Sequence, residues 1–317
     1  MTPKSQRYLL PFFSLLFLLG GLTAQAQKQK VWLDADTGNE TDDVYAIIRL
    51  LAEPSVEVLG LSSAHFNNAD LVAFDKWNQY PTKAINTVAI SQQLNEEILQ
   101  AMHKEAIAHP LGADRQMGRA WGGTEARPSA ASEQLIRTVK GLKPGEFLDV
   151  ICLGALTNIA SAIRIDTSIA SRIRLYALGA QYNAQTKVWN KSEFNIRNDL
   201  NAFDYLLNHP SVDLRIMPTS TALPYRFARD TIYSKVNPAV VSQRMLKQRW
   251  EETNPQDKVR TLWDLALVEV YLLPEKAVLK DVLTPPENRQ RFIKVYTQLD
   301  PKALTDDFWR VIHQLKN

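Results

Sequence analysis

The chain lacks the features that mark several common classes of protein. Its 317 residues include one cysteine, Cys152, so no disulfide can form within the chain. Cys152 lies in the apolar run 150–153, where a buried, inert thiol is expected and not a nucleophile. No internal repeat, low-complexity tract or Pro/Gly-rich linker divides the sequence, which predicts a single domain over residues 27–317.

The sequence also lacks an excess of either charge and any long apolar stretch beyond its first residues. Residues 1–26 hold two basic residues and no acidic one, which leaves 35 of the 37 basic side chains against 34 acidic ones, a net charge of +1. This near balance argues against nucleic acid or a membrane surface as a partner. No later segment approaches the roughly 20 apolar residues that a membrane-spanning helix requires.

The first 26 residues are typical of a secretory signal peptide. A positively charged head precedes the apolar stretch 8–22 and the small-residue pattern Ala24-Gln25-Ala26. Cleavage is predicted after Ala26, and a signal anchor is the alternative. We therefore expect an exported protein, either periplasmic or secreted.

Acidic residues, by contrast, are concentrated near the start of the predicted domain. The segment Asp34-Ala35-Asp36-Thr37-Gly38-Asn39-Glu40-Thr41-Asp42-Asp43 holds five acidic side chains in ten residues, directly after an apolar run. Carboxylates this close repel one another unless a cation or a set of donors gathers them. Because the segment offers oxygen ligands and neither Cys nor His, it favours a hard cation such as Ca²⁺ or Mg²⁺ over zinc.

Apolar runs of strand length alternate with helical patterns from about residue 30 to about residue 220. This alternation predicts an α/β fold with a mostly parallel, doubly wound sheet flanked by helices. Strands are predicted at residues 30–34, 56–62, 87–90, 148–153, 174–178 and 214–217. Helices are predicted at residues 42–52, 70–77, 95–108, 130–140, 158–163, 201–207 and 264–273, and a last short strand and a helix over 306–315 follow residue 286.

Polar clusters follow several of the predicted strands. His65-Phe66-Asn67-Asn68 follows the second strand, and Gly154-Ala155-Leu156-Thr157-Asn158 follows the fourth. Because the carboxyl ends of parallel strands lie at one edge of a sheet, these clusters are expected to meet the acidic segment in one pocket. Each cluster also has a simpler explanation: Thr157 or Asn158 can cap a helix, and Asn67 can turn the chain.

Two further clusters lie in the second half of the chain. Glu193 and Asn195 face the same side if the backbone is extended there, and together they can bind adjacent hydroxyls of a sugar; a solvated turn is the alternative. Asp264 stands at the start of an apolar helix. It is either an N-cap, which the spacing alone favours, or a remote acidic ligand for the cation.

Taken in order along the chain, these residues resemble a known family. Asp34-x-Asp36-x-Gly38 with Asp42-Asp43, Leu153-Gly154-x-Leu156-Thr157-Asn158, Glu193-Phe194-Asn195 and Asp264 resemble the inosine-uridine-preferring nucleoside hydrolase family. The resemblance covers residues 31 to about 273. It implies an α/β fold, a Ca²⁺ ion at the bottom of the pocket, and hydrolysis of the N-glycosidic bond of ribonucleosides or related ribosides to ribose and free base. The implied partner is a small-molecule nucleoside, and homo-oligomerisation is left open.

The resemblance also assigns roles to individual residues of this chain. Four residues look like Ca²⁺ ligands: Asp36, Asp43, Asp264 and, through its backbone carbonyl, Thr157. Four look like contacts to the ribose: Asp42, Asn67, Glu193 and Asn195. Asp36 also resembles the general base for the attacking water.

The chain departs from the usual family pattern at both ends of the site. Thr37 replaces a proline, and two extra residues separate Gly38 from the aspartate pair. Many members carry histidine before the late aspartate, where it helps the departing base accept a proton; here Trp263 stands there, and an indole cannot deliver a proton at neutral pH. We therefore predict that the base stacks on Trp263, or on Trp189 or Trp121, with core packing as the alternative.

Two other functions fit part of the sequence. A phosphatase of the haloacid dehalogenase type also begins with a strand followed by Asp-x-Asp, with Asp34 as nucleophile, Asp36 as acid/base and Mg²⁺ as cofactor, but it leaves Asp42, Asp43 and Glu193 unexplained. An exported nucleoside- or sugar-binding protein could keep the calcium and ribose residues and have lost efficient catalysis, as the missing histidine suggests.

Overall fold

The computed structural model describes residues 28–66, 86–119 and 122–317. The predicted signal peptide, the predicted helix 70–77, Asn67 and Trp121 lie outside the described residues. Within the three described ranges, no helix has the length and apolar character needed to cross a membrane.

The described residues form eleven strands and eleven α-helices that largely alternate along the chain. The strands are β1 (Gln29–Ala35), β2 (Val56–Ser63), β3 (Leu148–Cys152), β4 (Ile173–Leu178), β5 (Gln181–Asn183), β6 (Val188–Asn190), β7 (Asp213–Met217), β8 (Arg226–Ala228), β9 (Val259–Thr261), β10 (Ala277–Leu283) and β11 (Phe292–Leu299). The helices are α1 (Asp42–Leu51), α2 (Thr87–Ala101), α3 (Ala130–Lys140), α4 (Thr157–Ile165), α5 (Phe194–Asn198), α6 (Leu200–Asn208), α7 (Thr219–Ala222), α8 (Arg229–Lys235), α9 (Val241–Thr253), α10 (Trp263–Leu272) and α11 (Pro301–Ile312). Two 3₁₀ turns lie at Thr167–Arg172 and Pro274–Lys276.

Seven of the strands form one sheet in the order β10-β11-β7-β4-β3-β1-β2. Neighbouring strands are parallel except β10, which is antiparallel to β11 at one edge. Strands β5 with β6 and β8 with β9 form two small antiparallel pairs outside this sheet. The predicted α/β class with a mostly parallel sheet is confirmed.

Helices cover both faces of the sheet because successive residues of the central strands point to opposite sides. On β1, Val31 and Leu33 are fully buried in a core that includes apolar residues of α1, α10 and α11. Trp32, between them, belongs to a second core with residues of α3, α4 and α6. This placement makes the sheet doubly wound.

The strand order reverses direction at β1. From β1 the chain passes to β2 on one side and later to β3 on the other. In open α/β sheets a crevice opens at such a point, beyond the carboxyl ends of the strands. The acidic segment after β1 and the start of the segment after β3 therefore lie side by side at this crevice, with Gly154 against Asp36.

The predicted strand at residues 87–90 is wrong, because these residues begin helix α2. The Asn86 side chain accepts a hydrogen bond from Ala89 N and caps this helix, which ends at Ala101 and not at residue 108. Thr87 and Val88 are β-branched and locally favour a strand, but both are buried in the first helical turn. Tertiary packing and the cap thus override local propensity.

The C-terminal part differs from the prediction in its extent. The predicted last strand is β11, but the sequence pattern missed β10, whose residues are mostly exposed or half-buried at the sheet edge. Helix α11 begins at Pro301 and not at residue 306. Asp300 caps it by accepting from Lys302 N and Ala303 N, and proline suits the first helical position.

Candidate active site

A cavity of about 430 Å³ opens at the carboxyl ends of the central strands. The acidic loop after β1, the segment after β3, the start of α5, helix α7 and the start of α10 form its walls. The lining residues include Asp36, Asn39, Glu40, Asp42, Asp43, Leu153, Leu178, Gln181, Glu193, Phe194, Asn195, Thr219, Ser220, Leu223, Trp263 and Asp264. Segments distant in sequence thus converge on one pocket. The predicted convergence of the polar clusters is not found as expected, because neither His65-Phe66 nor residues 154–158 line the cavity; Asn67 and Asn68 lie outside the described residues.

Three aspartates gather at the bottom of this cavity. Asp42 and Asp43 lie in the first turn of α1, Asp264 lies in the first turn of α10, and one carboxylate oxygen from each lies within 4.8 Å of the others. All three residues are at most 5% exposed. Two helix N-termini point towards the cluster, and Asp264 N donates to Asp42 Oδ2 at 3.0 Å. The N-cap interpretation of Asp264 is wrong, because the cap position is Leu262.

Three carboxylate oxygens in this region have no hydrogen-bond partner among the described residues. They are Asp36 Oδ2, Asp43 Oδ1 and Asp264 Oδ1, each on a buried side chain. Burial, with the nearby Asp43 charge, raises the pKa of Asp36 well above its ordinary value. Burial and Asp42 likewise raise the pKa of Asp43 to about 8. Unpartnered buried carboxylates are costly, and a hard divalent cation with oxygen ligands would satisfy those of Asp43 and Asp264, which lie in one cluster.

Gly154 explains how Asp36 fits against the end of β3. A Cβ atom at Gly154 would lie 2.6 Å from Asp36 Oδ1 and 2.7 Å from Asp36 Cγ. Any larger residue would therefore push the Asp36 carboxylate out of place. The glycine in the Leu153-Gly154 motif is required by this close approach.

Thr157 lies behind the cavity wall and does not line it. Its Oγ1 donates to Asp199 Oδ2 at 2.5 Å and lies 2.8 Å from His65 Nε2. The residue is the first of α4, whose cap position is Leu156, so its side chain is not a cap. These contacts hold the start of α4 in place, and the role of the Thr157 carbonyl as a ligand stays a prediction.

Glu193 and Asn195 line the wall of the cavity next to Leu178 and Gln181. The expectation of an extended pair is wrong, because Glu193 caps α5 and Asn195 lies within that helix. Glu193 accepts from the backbone N atoms of Asn195, Ile196 and Ala180, and burial raises its pKa to about 7. Asn195 Nδ2 donates to Leu153 O, and this hydrogen bond fixes the orientation of the side-chain amide. Both side chains are thus held in fixed orientations at the cavity.

Trp263 also lines the cavity, at the start of α10, together with Leu223. Trp189, the second tryptophan predicted to stack on the base, does not line it. Its Nε1 donates to Leu283 O at 3.0 Å and its ring packs on Tyr182 with centroids 4.7 Å apart, so that part of the prediction is wrong.

Three residues with no distinguishing sequence pattern, Glu40, Arg249 and Arg260, hold the acidic loop in place. Glu40 lines the cavity and forms an ion pair with Arg260, with 2.6 Å between Oε2 and Nη2. Arg249 donates to the backbone carbonyls of Glu40 and Thr37, each at 3.0 Å. Glu40 was counted among the acidic residues without a role, and a basic residue three positions before Trp263 was the only signal for Arg260.

The geometry excludes Asp34 as a nucleophile. The residue is fully buried, lies outside the cavity lining and accepts hydrogen bonds from Ser62 Oγ and Asn158 Nδ2. A phosphoryl-accepting carboxylate must be reachable by substrate, so the phosphatase interpretation is wrong. Asp34 instead ties β1 to its two neighbouring segments.

Known proteins resemble this chain in sequence. The sequence model of the inosine-uridine preferring nucleoside hydrolases matches residues 31–284. A probable uridine nucleosidase 2 of Arabidopsis thaliana is 26% identical over 192 residues, 57% of this chain and 56% of that protein. A probable uridine nucleosidase 2 of Oryza sativa subsp. japonica is 29% identical over 189 residues, 56% of this chain and 52% of that protein. The matches thus span about half the length of these curated relatives.

Solved structures share the fold. An inosine-guanosine nucleoside hydrolase superposes with a TM-score of 0.69 at 16% identity, covering 91% of this chain and 99% of the other. An inosine-uridine preferring nucleoside hydrolase from Bacillus anthracis gives a TM-score of 0.66 at 15% identity, covering 90% and 100%. With the family match over most of its length, the chain belongs to the inosine-uridine preferring nucleoside hydrolase family.

Proposed function

We propose that this protein hydrolyses the N-glycosidic bond of ribonucleosides or related ribosides, with Ca²⁺ held by Asp36, Asp43, Asp264 and the Thr157 carbonyl. The observation that carries the proposal is the buried cluster of Asp42, Asp43 and Asp264, in which Asp43 and Asp264 each keep an unpartnered carboxylate oxygen. Asp36, which lines the same cavity, carries a third such oxygen. Family membership and the names of the two plant uridine nucleosidases support the reaction class.

The donor set suits calcium because Ca²⁺ accepts about six to eight oxygen ligands in flexible geometry, enough for carboxylates, water and a vicinal diol. When bound, the ion would orient the ribose diol and make water a stronger nucleophile. Asp42 belongs to the aspartate cluster and would bond a ribose hydroxyl, while Glu193 and Asn195 would hold the sugar from the opposite part of the cavity lining.

Asp36 is the proposed general base. Its Oδ2 has no protein partner among the described residues, so as a carboxylate it can accept a proton from water as that water attacks the anomeric carbon. As the bond to the base breaks, positive charge spreads over C1′ and the ring oxygen. The surrounding carboxylates stabilise this charge, since they are fixed in position before the reaction begins.

A nucleoside-binding protein without efficient catalysis is the second candidate, and Trp263 favours it. The indole lines the cavity but cannot donate a proton to the departing base. Binding of a ribonucleoside without ribose release would support this candidate. We retain export through a signal peptide over residues 1–26 as part of the proposal.

The test is a screen of ribonucleosides and related ribosides for release of reducing sugar in calcium-containing buffer. We expect turnover of at least one nucleoside by the wild type and its loss in Asp36→Ala. Activity that survives Asp36→Ala undiminished would contradict the role of Asp36. Calorimetric binding without any release of ribose would replace the hydrolase proposal with the binding protein.

A further inference from the structure

A second cavity adjoins the active-site cavity on one side. It has a volume of about 840 Å³ and lies between the β5–β6 hairpin, helix α7 and the end of β11. Gln181 and Ser220 line both cavities, so the two spaces meet at these side chains. This second space, the hairpin groove, is lined by none of the described residues to which the proposed mechanism gives a role.

The lining of the hairpin groove is polar and uncharged. Among the described residues that form it, none is acidic or basic, and most carry an amide or a hydroxyl group. Tyr182 adds a phenol ring. Amides and hydroxyls both donate and accept hydrogen bonds, so this lining suits a neutral ligand with several hydroxyl groups. The volume lies within the range of roughly 300 to 1,000 Å³ that is typical of small-molecule sites.

Hydrogen bonds hold the boundary between the two cavities in place. Ser220 Oγ donates to Tyr182 O at 3.0 Å and accepts from Tyr182 N at 3.2 Å, which ties α7 to the hairpin. Gln181 Oε1 accepts from Asn190 Nδ2 at 3.2 Å, and no described residue accepts a hydrogen bond from Gln181 Nε2. The boundary is thus fixed and keeps one unused donor for a ligand.

The hairpin groove meets the active-site cavity beside Glu193, a proposed ribose contact. Ala180 N donates to Glu193 Oε2 at 3.2 Å, and Gln181 is the next residue along the chain. Trp263, on which the base is predicted to stack, does not line the groove and instead lines another cavity with Arg260. No described residue lines both the groove and that other cavity. The groove is therefore reached from the sugar end of the active site and not from the base end.

The chemistry of a ribonucleoside limits which of its parts can enter the groove. C1′ carries the base, which is predicted to lie at Trp263. C2′ and C3′ carry the diol, which is proposed to bind at the aspartate cluster. C5′ is the remaining position at which a ribose carries a substituent, so a group on C5′ is the part of a substrate that can extend into the groove.

We infer that the hairpin groove binds a neutral, hydroxyl-bearing group attached to C5′ of the ribose, so that 5′-O-glycosylated nucleosides are substrates. Water adds its oxygen to C1′ as the bond from C1′ to the base nitrogen breaks, and the products are a disaccharide and the free base with one added proton. A 5′-phosphate is disfavoured, because the groove offers it no cation and the Glu193 carboxylate lies at its entrance. This inference rests on the proposed function and specifies its substrate class.

Matched substrates give the first test. Release of free base is measured for a ribonucleoside that the wild type hydrolyses, for its 5′-O-glucosyl derivative and for its 5′-phosphate. The glucosyl derivative should keep a kcat/KM within about 10-fold of the parent nucleoside or above it, because hydrogen bonds in the groove offset the ordering of the added sugar. The phosphate should fall about 100-fold or more below the parent, because like charges repel.

Two results of this comparison would overturn the inference and leave the proposed function standing. One is a glucosyl derivative more than about 10-fold below the parent in kcat/KM, and the other is a phosphate hydrolysed as well as the glucosyl derivative. No release of base from any ribonucleoside would overturn the proposed function, and the inference with it.

The variant Gln298→Trp gives the second test, because its indole would fill the groove. Gln298 is exposed on β11 and lines the groove but not the active-site cavity. The ratio of kcat/KM on the glucosyl derivative to that on the parent should fall about 10-fold or more. An unchanged ratio would overturn the inference, since it would show that the added sugar extends into solvent. If this variant does not fold, Thr186→Trp on the exposed turn of the hairpin tests the same ratio.

The matched control is Gln93→Trp. Gln93 is an exposed residue of α2 that donates to Glu97 Oε1 at 2.9 Å and lines neither cavity. The control should leave the ratio of the two kcat/KM values unchanged. A fall as large as that in Gln298→Trp would overturn the inference, because the effect would not come from the groove.

Discussion

Helices α1 and α10 pack against each other and carry buried charged side chains at both ends. The two ends differ in whether these charges form ion pairs within the protein. Near the C-terminal end, Arg49 of α1 donates to Glu269 of α10 at 3.1 Å and to Asp307 at 2.6 Å. At the N-terminal ends, Asp42, Asp43 and Asp264 form no ion pair among the described residues. The first cluster contains a cationic side chain, Arg49. The aspartate cluster contains none and requires a bound cation to compensate its carboxylates.

This difference separates a structural cluster from a binding site. Burial raises the pKa of Glu269 to about 8 and that of Asp43 to about 8, so a shifted pKa does not distinguish the two ends. The presence or absence of a paired cationic side chain distinguishes them. Arg49 forms ion pairs with its partners inside the fold, whereas the aspartate cluster has no ion pair among the described residues and lines a cavity that a ligand can enter.

The largest expected effect comes from removing one charge of the uncompensated cluster. Asp43→Asn should lower kcat/KM by roughly 10³-fold or more, because ligand loss removes several kcal/mol of stabilisation. The metal-free variant should unfold at the same or a higher denaturant concentration than the wild type, since the folded-state pKa of Asp43 lies above its unfolded value and the charged form costs stability at pH 8. Urea unfolding in a chelator and steady-state kinetics measure the two quantities. A strongly destabilised metal-free Asp43→Asn would contradict this interpretation.

The matched change on the same helix is Arg49→Met. It leaves Glu269 and Asp307 without their buried partner and should lower the free energy of unfolding by about 3 to 5 kcal/mol. The folded fraction should keep its kcat, because Arg49 does not line the cavity. Unfolding at unchanged denaturant concentration would show that this cluster contributes little to stability.

Calcium should stabilise the folded protein through the aspartate cluster and not through the Arg49 cluster. At a free concentration about 100-fold above its dissociation constant, Ca²⁺ should raise the free energy of unfolding by roughly 3 kcal/mol. Thermal unfolding with and without the ion should show this rise in the wild type and in Arg49→Met. The rise should be much smaller in Asp264→Asn, and an equal rise in all three proteins would place the ion elsewhere.

Trp263 tests the base side of the site at the beginning of α10. Trp263→Ala should lower kcat/KM by about 10-fold or more, since stacking of a base on an aromatic ring contributes roughly 1 to 3 kcal/mol. Purine and pyrimidine nucleosides should both be compared, with Trp189→Ala as the control outside the cavity. Unchanged kinetics on all substrates would remove Trp263 from the site.

A last expected effect is the pH dependence of the calcium stabilisation. The raised pKa values of Asp36, Asp43 and Asp264 mean that the metal-free folded protein binds protons that the unfolded chain releases. For Asp43, whose pKa is raised to about 8, this difference spans the range from about pH 4 to pH 8. The metal-free protein therefore loses stability as the pH rises through this window, and Ca²⁺, which displaces those protons, stabilises more. We expect the gain to grow by about 1 kcal/mol per pH unit for each displaced proton between pH 6 and pH 8. A gain independent of pH would indicate that no raised carboxylate takes part.

The sequence was a good guide where one pattern served both local and tertiary structure. The acidic loop, the start of α1 at Asp42 and the parallel strands all follow from residue type and spacing. It was a poor guide at residues 87–101, where the β-branched start hides a capped helix. Glu193 and Asn195 line the cavity as the sequence predicted, but they lie at the start of a helix and not on an extended segment. The Glu193 carboxylate can cap a helix and line a cavity at the same time.

The sequence by itself determined the supply of oxygen ligands and the edge of the sheet where they gather, since both depend on residue type and on the direction of parallel strands. Only the tertiary structure decided which carboxylates keep a cation. Asp42 and Asp264 are 222 residues apart and meet through the packing of two helices, and the same packing brings Arg49 to Glu269. Ionic compensation depends on distances of a few ångströms between remote segments, and local patterns carry no such distances.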